Sequence, residues 1–137
     1  MKVLVMFVNE FGYKPAEKNL EQAETAIESG AFRDAVLAFI HVEEEDEDFN
    51  IKTREKKLVN YLKWACRKNN CQRVILHSFA HLSSAKASPA FTHELLNFAE
   101  SRLNDADFEA VQTPFGYFLD LSIKAPGYSL ARMWAEL

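Results

Sequence analysis

Two stretches, Lys2–Val8 and Asp34–Val42, are apolar at successive positions and not only at alternate ones. A strand with that pattern meets water on neither face, so it belongs in the middle of a sheet that is covered on both sides. Such a sheet needs further strands beside these two and helices over them. Leu20, Ala23, Ala26 and Ile27 lie at helical spacing and predict a helix over Pro15–Ser29, stopped by Gly30. Thr53–Asn69 reads as a second helix, with Leu58, Leu62, Ala65 and Cys66 on one face and Lys56, Lys63 and Arg67 in a narrow sector roughly opposite. Arg73–His77 is a short strand. Ser88 and Pro89 place an N-cap hydroxyl before a proline at the first helical position, which opens a helix running to about Leu103. Strands are expected at Phe108–Thr113 and Phe115–Ile123, and a short terminal helix at Tyr128–Glu136. The fold class is α/β: one domain, with a mixed sheet packed with helices.

Length agrees, since 137 residues with 48% apolar content fill one domain with a real core. Two cysteines, Cys66 and Cys71, are too few for a disulfide framework and fit a reducing, cytoplasmic setting. No apolar run approaches the roughly 20 residues of a membrane span. The opening run lacks a small-residue cleavage site, so it is a strand and not a signal peptide. The net charge of −4 conceals a split. Glu43 to Asp48 is an unbroken acidic run, expected to be a solvated loop or strand end, whereas Lys52 to Arg73 holds eight cations against the single acid Glu55.

Phosphate-binding loops, dinucleotide fingerprints, nucleophile elbows and zinc-protease helices are all missing from the sequence. Cys66, Cys71 and His77 lack an evident fourth ligand, so neither a metal nor a cofactor is expected. Phe79-Ala80-His81-Leu82-Ser83-Ser84 follows a strand and precedes a helix, where open α/β sheets place ligand sites. His81 and the two serines could bind a polar substrate or orient a water there. Equally, the serines could satisfy loop backbone with His81 half exposed. His41 and His93 have no such context. The cationic helix also has two readings: a solvated face, or a polyanion surface formed by Lys56, Lys63 and Arg67 with Trp64 stacking on a base. The acidic run argues against non-specific duplex binding.

The opening strand, Val36–Glu43 (V-L-A-F-I-H-V-E), Phe79–Ser84 (F-A-H-L-S-S), Thr113–Phe118 (T-P-F-G-Y-F) and Lys124–Ala131 (K-A-P-G-Y-S-L-A) occur in this order across nearly the whole chain. Together they resemble the archaeal N-terminal editing domain of threonyl-tRNA synthetase, which shares a fold with D-aminoacyl-tRNA deacylases. The resemblance implies that residues 1–137 are an editing domain at the start of a longer protein, and the chain's end inside an expected helix points the same way. It implies hydrolysis of serine from mischarged threonine tRNA, with threonine rejected and the ester cleaved by backbone groups and the tRNA 2′-hydroxyl. By position, the amino-acid pocket would be Val42, Ser78, Ala80 and His81 with Phe115, Gly116, Tyr117 and Phe118, His81 acting as a positioning group. The implied partners are seryl-tRNA(Thr), the rest of the synthetase or a separate catalytic chain, and a second copy in a homodimer. Leu119 and Arg132 stand where the family carries Lys and Glu, Ser78 where a Pro is usual, and Phe118 where a Tyr is common. Two rival functions follow from the same fold: a non-catalytic tRNA-binding module, favoured by Leu119 and Arg132, and a deacylase of D-aminoacyl-tRNA.

Overall fold

A computed structural model describes residues 1–26 and 28–137. Strand β1 (Lys2–Lys18) is followed by β2 (Gly30–His41), α1 (Ile51–Lys68), β3 (Arg73–Ser78), α2 (Pro89–Asp105), β4 (Glu109–Gln112), β5 (Tyr117–Lys124) and β6 (Arg132–Glu136). The six strands form one mixed sheet in the order β4-β3-β2-β1-β5, with β6 also against β1. β2, β3 and β4 are parallel to one another, joined through α1 and α2, while β1 runs antiparallel to β2, β5 and β6. This is the single mixed α/β domain that the sequence implies.

Both helices cover one face of the sheet. Leu58, Val59, Leu62, Ala65 and Cys66 of α1 and Leu95, Leu96, Ala99 and Leu103 of α2 pack there against Val3, Val5, Val36, Ala38, Ile40, Val74 and Leu76. Asn50 caps α1 by accepting from the Lys52 N–H, and Ser88 caps α2 by accepting from Phe91. The opposite face has its own core of Val8, Phe11, Ala35, Leu37, Phe39 and Ile75, although among the described residues no helix contributes to it. What encloses it is curvature. Four residues, Thr113–Gly116, join the end of β4 to the start of β5, and the five steps from Gln112 to Tyr117 can reach at most ~18 Å. Since β5 begins beside Lys18, at the far end of β1, the long β1–β5 ribbon must curl back toward β4.

Two expected helices are absent from the described residues. Pro15–Ser29 instead continues β1 to Lys18 and then becomes turns and irregular chain, and Ile27 lies outside the described residues. Pro15, Glu17 and Lys18 pair with β5, just beyond the Phe11–Phe32 and Tyr13–Phe32 packing, and this ladder outweighs the helical spacing further on. Pro15 lies beyond the β2 pairing, which stops at Tyr13 and Gly30, and at the register shift between Pro15 and Glu17 in the β5 pairing, an edge and bulge position that proline tolerates. At the other terminus, Tyr128–Glu136 forms a short 3₁₀ turn at Ser129–Ala131 and then β6, whose Met133 and Ala135 lie beside Val5 and Val3. The bare edge at the start of β1 accounts for that choice, since its backbone groups need partners.

The acidic run is not a solvated loop throughout. It forms a 3₁₀ turn, Glu44–Asp48, with Glu43 and Asp46 buried. The α-ammonium of Met1, itself buried, lies 3.0 Å from Glu43 and 3.1 Å from Asp46; Lys2 reaches Glu43 at 2.8 Å, and Arg54 reaches Asp46 at 2.6 Å. Burial alone would raise the Glu43 carboxyl, but the Lys2 ammonium that donates to it, the Ser83 hydroxyl and the α-ammonium overcome it and hold the pKa at about 2. Glu43→Gln should therefore cost roughly 2–3 kcal/mol at neutral pH, scaled from that shift. Because the folded value lies below the ordinary 4.5, the contribution is complete above pH 4.5 and lost as pH falls toward 2. Urea unfolding of wild type and variant from pH 7 to pH 2.5 checks this: the two stabilities should converge at the acid end.

Candidate functional site

Because β2, β3 and β4 are parallel, their carboxyl ends lie along one edge of the sheet, where open α/β folds place ligands. Three segments leave that edge: Val42 after β2, Ser78–His81 after β3, and Thr113–Gly116 after β4. The sequence-predicted pocket residues fall on these three segments and on the first positions of β5, Tyr117 and Phe118.

The loop after β3 is tied down at several points. Phe79 donates its N–H to Ile40 O at 2.9 Å, and Ala87 donates to Val42 O at 3.0 Å. His41 lies under the loop: its Nδ1 accepts the Leu82 N–H at 3.0 Å, so the ring proton sits on Nε2 and donates to Ala85 O at 2.7 Å. His41 is a structural clamp. Ser83 Oγ accepts from the Ala85 N–H at 3.3 Å, which is the backbone-satisfying role weighed for the loop serines, and its hydroxyl helps lower the Glu43 pKa. Glu47, also from the acidic run, accepts from both the N–H and the hydroxyl of Ser88 at 3.0 Å. His81 remains exposed with its ring edge-on to Phe79, 5.0 Å between centroids. Among the described residues, the N–H groups of Ala80 and His81 donate to no protein acceptor. Phe79 in turn packs on Phe39 and on buried His77, whose Nδ1 lies 2.9 Å from Thr113 Oγ1. Burial lowers the His77 pKa to about 4, so at neutral pH it is an uncharged tie between β3 and the Thr113 segment.

At the third segment the chain turns sharply. Gly116 has φ 83°, and a Cβ there would come within 2.7 Å of the Ala23 Cβ, so glycine is required both by conformation and by space. Its carbonyl accepts the N–H groups of Asn19 and Leu20, and the Tyr117 hydroxyl accepts that of Ala26. Gly116 and Tyr117 thus hold the segment after β1 as a wall. Between that wall, the first turn of α2 and the end of β4 lies a cleft of about 510 Å³. Phe115 lines it, stacked face to face on His93 at 4.5 Å and 5°. Tyr13, Thr25, Pro89 and Gln112 complete much of the rest. Of the predicted pocket residues only Phe115 lines this cleft; Val42, Ser78, Ala80 and His81 lie at the ends of β2 and β3 outside its lining, and Phe118 is exposed on β5. Sequence reasoning passed over Tyr13, His93 and the 20–26 wall. The helical spacing at Leu20, Ala23 and Ala26 marked residues with a face to bury, which here faces the cleft.

Leu119 lies half-buried beside Pro15, and Arg132 is exposed beside Met6, donating to Pro126 O at 2.8 Å. Arg132 is on a strand and not in the helix expected there. On α1, Lys56 and Arg67 are exposed, while Lys63 is half-buried in the groove toward Phe98 and Arg102 of α2. Trp64 is exposed and stacks on Tyr61 at 5.8 Å. Arg54, counted among the free cations from sequence, is consumed by the buried pair with Asp46. Among the described residues, no helix is long and apolar enough to cross a membrane.

Comparison with known proteins bears directly on this site. The c-Myc DNA unwinding element binding protein has a similar structure, with a TM-score of 0.69, covering 100% of this chain and 99% of that one at 12% identity; this likeness concerns the fold alone. A threonine–tRNA ligase of Cenarchaeum symbiosum is 30% identical over 131 residues, covering 96% of this chain, and one of Thermococcus onnurineus is 29% identical over 136 residues, covering 97%. The chain spans only about a fifth of either ligase, 20% and 22% respectively. The profile of the archaea-specific editing domain of threonyl-tRNA synthetase matches residues 1–137, the full set of segments that build the cleft edge. The chain belongs to that editing-domain family.

Proposed function

We propose that this chain is a proofreading hydrolase that removes L-serine from tRNA(Thr) and rejects L-threonine. The observation that carries the reading is the end-to-end family match; the family's two most specific motifs follow the adjoining parallel strands β3 and β4, which supports it. In this reading residues 1–137 are the N-terminal domain of a longer cytoplasmic protein. The aminoacylation site belongs to the rest of the synthetase or to a separate chain, and the domain pairs with a second copy of itself.

An aminoacyl ester is already activated, so its hydrolysis needs a positioned water and a stabilised oxyanion more than a strong base. The unpartnered N–H groups of Ala80 and His81 are suited to the oxyanion. The 2′-hydroxyl of the terminal adenosine, next to the ester, orients the water. His81 positions the substrate from its perch on Phe79. Leu119 cannot carry a proton and Arg132 does not release one, so neither replaces the family's Lys or Glu. The cleft volume of about 510 Å³ is in the range of small-molecule sites and exceeds what one serine fills, leaving room for the nucleoside.

Single-turnover deacylation by this chain tests the proposal. Seryl-tRNA(Thr) should be cleaved and threonyl-tRNA(Thr) spared. Preference for D-aminoacyl esters would instead support the deacylase reading, and intact tRNA binding without cleavage would support a binding module. His81→Ala should slow seryl hydrolysis by roughly tenfold to a hundredfold. A 2′-deoxy terminal adenosine should do more damage than Ser83→Ala, Ser84→Ala or Phe118→Ala. Complete loss in His81→Ala, with the 2′-deoxy substrate still cleaved, would make His81 an acid–base catalyst and refute substrate assistance.

The cationic sector of α1 is the proposed tRNA-backbone contact, through Lys56, Lys63 and Arg67. Reversing all three charges to Glu should weaken tRNA binding. It should also flatten the dependence of log affinity on log salt by somewhat under one unit per lost phosphate contact. Titrations between low and physiological salt check both, and an unchanged slope would reduce the sector to a solvated face.

A further inference from the structure

The two sulfurs at the end of α1 take no part in the proposed reaction. The helix closes in a Schellman turn: Asn70, left-handed at φ 50°, donates its N–H to Arg67 O at 3.3 Å, and Cys71 donates its N–H to Cys66 O at 3.1 Å. That turn brings together the side chains of the residues at either end of the longer bond, positions commonly filled by two apolar groups. Here both are cysteines, and both are free thiols. Cys66 is fully buried against the sheet, whereas Cys71 is only half-buried. The Cys71 thiol donates to Arg73 O at 3.8 Å. The neighbouring Cys66 thiol and the surrounding backbone lower the Cys71 pKa, while Cys71, with burial, drives the Cys66 thiol well above its ordinary value.

We propose that Cys66 and Cys71 are an oxidisable dithiol, a modification site in which Cys71 reacts with a hydroperoxide and Cys66 resolves it to a disulfide across the helix C-cap. The asymmetry of the pair sets the order of events, because the thiolate is the nucleophile and access favours the more exposed sulfur. The Cys71 thiolate attacks one oxygen of hydrogen peroxide. An S–O bond forms, the O–O bond breaks, and the departing hydroxide takes up a proton as water. Cys66 then gives up its proton and attacks the Cys71 sulfur. The S–S bond forms, the S–O bond breaks, and the released hydroxide leaves with that proton as a second water. The sulfurs lose the two electrons that the peroxide gains. The two residues are already joined through the 3.1 Å backbone bond of one turn, so the disulfide closes within that turn.

The test exposes the full chain to hydrogen peroxide, blocks free thiols with iodoacetamide, and reads the products by peptide mass mapping. Wild type should yield an intrachain Cys66–Cys71 disulfide that dithiothreitol reverses. Cys66→Ala should stop at a Cys71 sulfenic acid, trapped by dimedone, and Cys71→Ala should leave Cys66 unmodified under the same exposure. Circular dichroism confirms that each variant is folded, and Cys66→Ser replaces Cys66→Ala if the latter is not. Native-state labelling should be faster at Cys71 than at Cys66. Wild type that stays reduced while an unfolded control oxidises would overturn the proposal. So would only interchain disulfides, or sulfenylation at Cys66 first.

Discussion

Strand β1 is hydrogen-bonded to β2 along one side and to β6 and then β5 along the other, so the path of its 17 residues sets where three other strands can lie. A backbone paired on both sides cannot unpair cheaply, since each orphaned buried group costs free energy on the scale of a lost hydrogen bond. With β5 bound to the end of β1 and only four residues separating β5 from β4, the ribbon can close only by curling over the helix-free face. That curl buries Leu37 and Ile75 without a second layer of helices. It also carries Tyr13 to the same cleft as Gln112 and His93, residues drawn from three separate elements. The site is a by-product of the closure. Were β1 to stop at Val8, as its most apolar stretch suggests, neither wall nor cleft would exist.

The acidic run does for the loop what β1 does for the sheet. Its central carboxylates are tied inward, to the Met1 ammonium, Lys2 and Arg54. Another member, Glu47, reaches across to the functional loop and accepts from the N–H and hydroxyl of Ser88. Together with the Ala87–Val42 backbone bond and the His41 clamp, these contacts fix the loop at intervals from Phe79 to Ser88 and leave Ala80 and His81 projecting. Buried ion pairs contribute less to net stability than to fixing one geometry, because desolvation offsets much of their attraction. Their role here is registry of the loop, which is where a site that works by positioning needs rigidity.

The elements legible in the sequence were those whose own residues decide them. Lys2–Val8 and Asp34–Val42 could bury two apolar faces only inside a sheet, and Ser88-Pro89 marks its helix start by capping chemistry alone. Pro15–Ser29 and Tyr128–Glu136 were misread because partners decide them: the ribbon with β5, and the unpaired edge of β1. Helical spacing over a few small residues cannot compete with a ladder of backbone bonds. The same division runs through the site. The F-A-H-L-S-S and T-P-F-G-Y-F segments were visible as motifs, and parallel topology then put them on one edge. His93 carried no local signal, since its role arises from the stack on Phe115, a contact between elements distant in the chain. Glu43 and Asp46 were hidden by their neighbours, for six consecutive acids look solvated until a buried ammonium and guanidinium are placed beside two of them.

For the proposed reaction, the demand on this site is discrimination more than acid–base power. One methyl separates serine from threonine, and a cavity that merely fits the larger side chain gains only about 1–3 kcal/mol from it. A second sieve works the other way, by excluding the larger group, and exclusion is only as good as the stiffness of the wall. The walls here are stiff for identifiable reasons. Phe115 is backed by the His93 ring, Gly116 is locked at positive φ with its carbonyl engaged by two N–H groups, and Tyr117 is pinned through its hydroxyl to Ala26. None of these groups needs to titrate. A site whose selectivity comes from fixed surfaces, and whose water is oriented by the substrate's own hydroxyl, tolerates the exchange of the family's Lys and Glu for Leu119 and Arg132. On that logic the flanking positions can drift, whereas the glycine at 116 cannot.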